Sequence, residues 1–183
     1  MSEYLFPKDL YRYYGANGES LFRRLFRSNE IRFLKAFRKA QYYLSRNKML
    51  FYYWEFRKRL IANKTHIQIS SFATIGEGFY IGHFGRVIIN PQAVLGKNIN
   101  IATGVTIGQT NRGKLSGAPT IGDNVWIGTN AVIVGKINIG TDVLIAPNAY
   151  VNFDVPDHSI VIGNPAKVIH RENATDKYIE FTV

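Results

Sequence analysis

The feature that most constrains this chain is an aliphatic side chain that recurs at every sixth position. A period of six is too long for one face of a helix and does not match the two-residue alternation of a strand. It fits a chain that turns a corner every six residues, so that three hexapeptides complete a triangular coil. The repeating residues are Ile69, Ile75, Ile81 and Val87, then Ile89, Leu95, Ile101 and Ile107, and finally Ile121, Ile127, Ile133, Ile139, Ile145 and Val151.

Small residues beside this repeat support the same interpretation. Glycine often follows the repeating residue, where it relieves crowding at a bend; examples are Gly76, Gly82, Gly96, Gly108, Gly122, Gly128 and Gly140. Residues 67–153 suffice for about four to five coils stacked at a strand spacing of about 4.8 Å. The pattern therefore predicts a mainly β fold, a parallel β-helix.

Two segments depart from the six-residue rhythm. Residues 109–120, with the sequence QTNRGKLSGAPT, are polar and contain two glycines, so we expect them to leave the coil as a protruding loop. Loops carried on a rigid scaffold are common sites of function. The tail that begins at Asp154 contains two prolines and ends the repeat.

Charge divides the chain into two regions. The net charge is +10, and residues 1–66 carry all of it, with 15 Lys and Arg against 5 Asp and Glu. Residues 67–183 hold 8 of each sign, and 16 of the 25 aromatic residues lie in the first region. We therefore predict a basic aromatic arm, residues 1–66, followed by a β-helix domain with a C-terminal tail, residues 67–183.

The arm has the spacing of short amphipathic helices. Apolar residues recur at helical intervals in three places: Leu21, Phe22, Leu25 and Phe26; then Phe33, Leu34 and Phe37; then Leu50, Trp54 and Ile61. One explanation is a helical cap that buries its rings on the β-helix or in a subunit contact. A second is docking on an anionic membrane face, where each nearby Lys or Arg contributes about 1 kcal/mol. Nucleic-acid binding is a third, but no recognised nucleic-acid motif accompanies the basic residues, so we expect no nucleic-acid partner.

Composition excludes several classes of protein. The chain has no cysteine, which rules out disulfides, cysteine-ligated metal sites and a cysteine nucleophile. Its longest apolar or aromatic run, Met49 to Trp54, is far shorter than the roughly 20 residues that cross a bilayer. The N-terminus lacks the pattern of a signal peptide. We therefore expect a cytoplasmic protein that is soluble or lies on the inner face of the membrane.

Three sequence segments give the β-helix domain a family resemblance. They are Ile81–Asn90 (IGHFGRVIIN), Gly104–Gly108 (GVTIG) and Gly163–Lys167 (GNPAK). With the repeats, they resemble the hexapeptide-repeat acyltransferases, and among these the serine acetyltransferases and the O-acetyltransferases of polysaccharide biosynthesis. The resemblance implies a left-handed coil and a homotrimer with active sites between neighbouring prisms. It also implies acetyl transfer from acetyl-CoA to a hydroxyl group without a metal.

The resemblance also implies catalytic residues. His83 matches the family's general-base histidine, a role that suits a group with a pKa near neutrality. Serine acetyltransferases have an Asp directly before this base and a second, orienting Asp earlier; here Gly82 and Gln68 occupy those positions. The amide oxygen of Gln68 is the candidate acceptor for the imidazole N–H. The other histidines, His66, His158 and His170, are expected to be structural or exposed.

The family's acetyl-CoA contacts match a further set of positions, each of which has a plainer interpretation as a coil corner or a solvated charge. They are Gln109, Gly128, Thr129, Ala146 and Pro147, with Lys167 and Arg171 as cations for the phosphates. In the loop, Arg112 and Lys114 are candidate ligands for an anionic acceptor or for the CoA phosphates.

The acceptor is where the chain departs from serine acetyltransferases. Those enzymes carry an Arg–His pair in the loop that helps to hold the amino acid, and this chain has Gly117 and Ala118 instead. The main prediction is therefore acetylation of a hydroxyl of a saccharide or glycan precursor. Serine O-acetylation is the alternative, and a hexapeptide scaffold without catalytic activity is a third possibility.

Overall fold

The arm forms helices that lead into the first coil. The computed structural model describes residues 3–18, 20 and 27–183. Helix α1 spans Phe6–Tyr14 and ends in a short 3-10 turn, Gly15–Asn17; α2 spans Asn29–Tyr43 and α3 spans Lys48–Thr65. The helical spacing in the last two segments is thus confirmed. The predicted spacing at Leu21, Phe22, Leu25 and Phe26 lies outside the described residues.

From Ile67 onward the chain winds through short strands. In chain order they are β1 Ile67–Ile69, β2 Thr74–Ile75, β3 Tyr80–Ile81, β4 Val87–Ile89, β5 Val94–Leu95, β6 Asn100–Ile101, β7 Thr106–Gly108, β8 Thr120–Ile121, β9 Val125–Ile127, β10 Val132–Val134, β11 Asn138–Ile139, β12 Val143–Ile145, β13 Tyr150–Val151, β14 Ser159–Ile162 and β15 Lys167–His170.

These strands make the three faces of a prism. The first face has the order β1-β4-β7-β10-β13, the second β2-β5-β8-β11, and the third β3-β6-β9-β12-β14-β15. Neighbours are parallel and in register, except that β15 runs antiparallel to β14. The five strands of the first face correspond to five coils, so the predicted parallel β-helix is confirmed.

The predicted repeat builds the core. All fourteen repeating aliphatic residues are buried, with at most 5% of their surface exposed. Burying such a side chain contributes about 1.5–3 kcal/mol, so the repeat drives the winding of the coil. Phe33, Leu34 and Phe37 of α2 belong to the same hydrophobic cluster, and part of the arm therefore packs on the β-helix as the first explanation proposed.

The loop protrudes between the first and second faces. Strand β7 ends at Gly108 and β8 begins at Thr120, so the excursion closes one residue earlier than the 109–120 prediction. Its base is tied by two backbone hydrogen bonds between Thr110 and Gly117, of 3.0 and 2.9 Å. Residues 111–116 are exposed.

Buried arginines attach the arm to the first coil. Arg38 of α2 donates to the backbone oxygens of Ile75 and Gly76 and pairs with Asp9 of α1 at 2.7 Å. Arg12 of α1 donates to the oxygen of Gly78 at 3.0 Å. The end of a β-helix leaves backbone groups without a next coil to bond, and these guanidinium groups satisfy three of them.

Helix α3 differs from α1 and α2, because it leaves apolar side chains in solvent. Met49 is 83% exposed, Tyr52 67% and Phe56 61%. Across the ranges that the structure describes, no helix is both long and apolar enough to cross a bilayer. The rings of α3 are thus available to a surface that this chain alone does not provide.

Candidate active site

His83 lies at a corner of the prism. It follows β3 and precedes β4, where the chain passes from the third face to the first, and its side chain is exposed. The turn is tied to the end of α3 by a 3.0 Å hydrogen bond from the amide of Gly85 to the oxygen of Thr65. The imidazole therefore points outward, as a base that meets a soluble substrate requires.

A cavity of about 450 Å³ opens beside His83. Its floor is the outer surface of the third face, and its walls come from α1 and from the C-terminal tail. The lining residues include Arg12, Tyr13, Tyr80, Gly82, Asn100, Ala102, Trp126, Lys177, Tyr178, Glu180 and Phe181. Elements far apart in the chain thus meet at the predicted base.

The phenols of this cavity are neutral and fixed. The hydroxyl of Tyr13 donates to the oxygen of Ile81 at 2.9 Å and accepts from the amide of Ile81 at 3.0 Å. Burial raises the pKa of Tyr13 and, against the opposing charge of Arg12, the pKa of Tyr80. Burial also lowers the pKa of Arg12 to about 10, which still leaves the guanidinium charged at neutral pH. These groups shape the cavity and do not titrate near pH 7.

The corner of His83 continues up the prism as a row of predicted cofactor residues. Strand register aligns Ile81, Ile101, Ile127 and Ile145. Two positions later, the same register places His83, Thr129 and Pro147 in one row, with Gly82, Gly128 and Ala146 beside them. The row runs about 14 Å from His83 to Pro147, three steps at strand spacing.

Close packing explains the glycine in this row. A β-carbon on Gly128 would lie 2.6 Å from the backbone nitrogen of Pro147 and 2.9 Å from the ring of Trp126. Contacts below 3.0 Å require the neighbours to move, so a side chain there would push two coils apart. Gly128 keeps the row level and leaves its outer surface open.

The two predicted tail cations separate. Lys167 pairs with Ile162 at the start of β15, next to the corner that carries Thr129 and Pro147. The backbone amide of Arg171 bonds to the oxygen of His158, at the other edge of the third face. Because β15 runs antiparallel, only Lys167 extends the row toward its outer end.

The remaining predicted residues lie away from His83 within this chain. Gln109 begins the loop, where its side chain bonds to Asn111 at 2.7 Å and to Asn90 at 3.3 Å. Arg112 and Lys114 are exposed farther along the loop. Gln68 points outward from β1, and no hydrogen bond joins it to His83 within the described residues. The orienting role of Gln68 stays a prediction.

The predicted set missed the residues that form the cavity around the base. Arg12, Tyr13 and the tail residues lie outside the hexapeptides, so the repeat gave no signal for them. Tyr80 and Trp126 had one, because each stands directly before a repeating isoleucine and therefore faces outward on the third face. Large outward aromatic residues in adjacent positions of one face indicate a surface that something covers.

Comparisons with known proteins support the resemblance. The family described as "Bacterial transferase hexapeptide (six repeats)" matches residues 118–152. Serine acetyltransferase 2 of Arabidopsis thaliana is 35% identical over 150 residues, 78% of this chain and 45% of that protein. The serine acetyltransferase of Bacillus subtilis is 39% identical over 105 residues, 57% of this chain and 48% of that protein. The chain spans about half the length of these curated relatives.

Solved structures agree. Neisseria gonorrhoeae serine acetyltransferase in complex with serine has a TM-score of 0.72 and 32% identity, over 90% of this chain and 67% of that one. Brucella abortus serine acetyltransferase in complex with coenzyme A has a TM-score of 0.74 and 26% identity, over 92% and 67%. The chain belongs to the hexapeptide-repeat acyltransferases. Within that family it resembles the serine acetyltransferases, and its coil is the predicted left-handed β-helix.

Proposed function

We propose that this chain is an acetyl-CoA-dependent O-acetyltransferase with His83 as its general base. The observation that carries the proposal is the position of His83, which is exposed at one end of the Thr129–Pro147 row and lines the adjacent cavity. Acetyl-CoA would lie along the row with its thioester at His83, and Lys167 is placed to meet its phosphates. The acceptor would enter from the cavity.

The reaction needs no covalent enzyme intermediate. His83 removes the proton from the acceptor hydroxyl, and the oxygen attacks the thioester carbonyl carbon. The carbon–sulfur bond then breaks, and the thiolate of CoA takes the proton from the imidazolium of His83. A positioned general base accelerates such a step by about 10²–10⁴-fold.

Replacing His83 tests this role. His83→Ala is expected to lower kcat for the best acceptor by about 10²–10⁴-fold, while calorimetry shows acetyl-CoA binding close to that of the unmodified protein. His170→Ala, an exposed histidine outside the cavity, is the matched control and should leave kcat unchanged. A loss below tenfold in His83→Ala contradicts the base assignment, and an unmodified chain that binds no acetyl-CoA favours the non-catalytic scaffold.

The comparisons favour serine, the alternative acceptor, over the saccharide that sequence analysis preferred. The named relatives and structures are serine acetyltransferases. We therefore propose L-serine as the first acceptor to test. A saccharide is the second candidate because the cavity contains aromatic rings, with Tyr13 and Tyr80 4.4 Å apart and Trp126 and Tyr178 5.0 Å apart, and sugars stack on such surfaces. Mass spectrometry of both acceptor classes, detecting the gain of one acetyl group, separates them.

The family resemblance also supports a homotrimer. Gln68, Gln109, Arg112 and Lys114 lie away from His83 in one chain, and a neighbouring prism is the element that would bring such groups to it. Light scattering should give three times the 20.8 kDa chain mass. A monomer that turns over normally would remove these residues from the site.

Helix α3 supports the membrane contact predicted for the arm. A groove between α2 and α3 is lined by basic and aromatic residues, including Arg32, Arg57, Lys64, Tyr53 and Phe56, and none of the described residues lining it is acidic. A basic groove beside exposed rings complements an anionic bilayer. We expect co-sedimentation with phosphatidylglycerol vesicles but not with phosphatidylcholine vesicles; equal binding to both, or to neither, contradicts the contact. The cytoplasmic location stays a prediction.

A further inference from the structure

The C-terminal tail, residues 171–183, forms one wall of the cavity beside His83. It folds back along the third face, and polar contacts hold its backbone at successive points. The oxygen of Tyr178 accepts from Asn100 at 3.0 Å, and the oxygen of Glu180 accepts from Arg12 at 2.7 Å. The amide of Val183 donates to Asn98 at 3.0 Å. The tail is therefore a built wall of the cavity, since its backbone is anchored on both sides of Glu180.

Ring contacts anchor the same stretch. Tyr178 packs edge-on against Trp126 with centroids 5.0 Å apart, and Phe181 packs against Tyr11 at 6.3 Å. A β-carbon on Gly15 would lie 2.7 Å from the ring of Phe181. Gly15, with a φ of +57°, thus leaves the space in which the tail seats.

Two tail side chains bring opposite charges to the cavity. Lys177 and Glu180 both line it, and within the described residues neither side chain has a hydrogen-bonded or ion-paired partner. Lys177 also has a φ of +63°, a backbone conformation that is uncommon for a residue with a β-carbon. Such conformations persist where the surrounding structure holds them, and they concentrate at functional sites.

The other charged group of the cavity is already committed. The guanidinium of Arg12 donates to the backbone oxygens of Glu180 and Gly78 and to the side chain of Asn100 at 2.7 Å. It therefore fixes the wall and has few donors left for a ligand. Lys177 and Glu180 are the charges that a bound molecule would meet.

We propose that Lys177 and Glu180 recognise the carboxylate and the ammonium group of an amino-acid acceptor and so orient its hydroxyl toward His83. This inference rests on the proposed acetyl transfer. A zwitterion presents one group of each charge, whereas a neutral sugar presents neither. The tail would thus supply the charge recognition that the loop lacks at Gly117 and Ala118.

Acceptors that lack one charge test each residue separately. L-serine carries both groups, L-serine methyl ester lacks the carboxylate, and 3-hydroxypropionate lacks the ammonium group. Lys177→Gln should raise the KM for L-serine and 3-hydroxypropionate at least tenfold and leave the ester unchanged. Glu180→Gln should raise the KM for L-serine and the ester and leave 3-hydroxypropionate unchanged. Neither variant should change the KM for acetyl-CoA by more than about twofold, because both residues act on the acceptor.

A neighbouring tail residue provides the control. Asp176→Asn removes a charge from the same segment, but Asp176 lines a different depression, so all three acceptors should keep their KM. The proposal is overturned if either variant leaves the KM for L-serine within threefold of the unmodified value. It is also overturned if all acceptors weaken equally, since that result would indicate a displaced tail.

Direct binding separates this inference from the proposed function. Saturation-transfer NMR measures L-serine on the CoA-bound protein without turnover. If the unmodified chain binds L-serine but acetylates no acceptor, and both variants lose binding, acetyl transfer fails and the recognition site stands. If the unmodified chain binds no L-serine while it acetylates a neutral sugar, the recognition site fails and acetyl transfer stands.

Discussion

The two ends of the β-helix are closed in different ways, although an aspartate fastens each of them. At the N-terminal end, Asp9 pairs with Arg38 at 2.7 Å, and both side chains are at most 1% exposed. At the C-terminal end, Asp142 pairs with His158 at 2.9 Å, and the histidine is 43% exposed. One end is thus closed by a dry core and the other by a solvated polar network.

The difference follows from what each end must satisfy. In the dry core, every polar group needs a partner, and Asp9 also accepts from the amide of Phe79 at 2.9 Å. At the other end, Asp142 accepts from the amides of Ala174 and Thr175, each at 3.0 Å, while water reaches His158. Breaking the first network should affect the whole fold, and breaking the second should affect the tail.

The largest expected effect is at the N-terminal end. Arg38→Met leaves the carboxylate of Asp9 buried without its cation and also removes donors from the backbone of the first coil. Removing one partner of a buried pair costs about 3–5 kcal/mol, which lowers the Tm of a chain of this size by roughly 10 °C. Thermal unfolding followed by circular dichroism measures it.

An arginine on α3 serves as the matched control. Arg59 is exposed, so Arg59→Met should change the stability by less than about 0.5 kcal/mol. If the two variants unfold at the same temperature, the N-terminal end is not held by its buried pair and the comparison between the ends fails.

A smaller and local effect is expected at the C-terminal end. Asp142→Asn keeps the side-chain shape and tolerates the local φ of +56°, but it removes the charge that the tail amides meet. Because the site is partly solvated, we expect a loss on the order of 1 kcal/mol. Hydrogen exchange at the amides of Ala174 and Thr175 should therefore become several-fold faster, with little change in Tm.

Two results would contradict this second prediction. A fall in Tm as large as that of Arg38→Met would show that the tail is part of the global fold. Unchanged exchange at both amides would show that Asp142 does not hold the tail. Asp176→Asn, whose carboxylate does not meet these amides, is the control.

The sequence predicted the regular part of the molecule well and the ends poorly. The repeating isoleucines report an inward position by spacing alone, because each coil repeats the same geometry. Asp9, Arg12 and Arg38 gave no such signal, since their partners are backbone oxygens of a coil more than 30 residues away. For the same reason the sequence identified His83 and the Gly128–Pro147 row but not the tail that completes the cavity. Contacts between α1, the third face and the tail depend on tertiary packing, which no local pattern encodes.

The smallest expected effect is a pH dependence confined to the C-terminal end. The hydrogen bond to Asp142 raises the pKa of His158 above its usual value. The folded protein therefore holds this proton more tightly than the unfolded chain, so the contact is fully present below the ordinary histidine pKa and is lost as the pH rises through the raised one. Exchange at Ala174 and Thr175, corrected for the intrinsic rate, should be slowest near pH 6 and faster by pH 8.5. His158→Gln should abolish this change, while the Asp9–Arg38 end stays constant over the same window. Protection that is flat or rises with pH in the unmodified protein would mean that the imidazole does not fasten the tail.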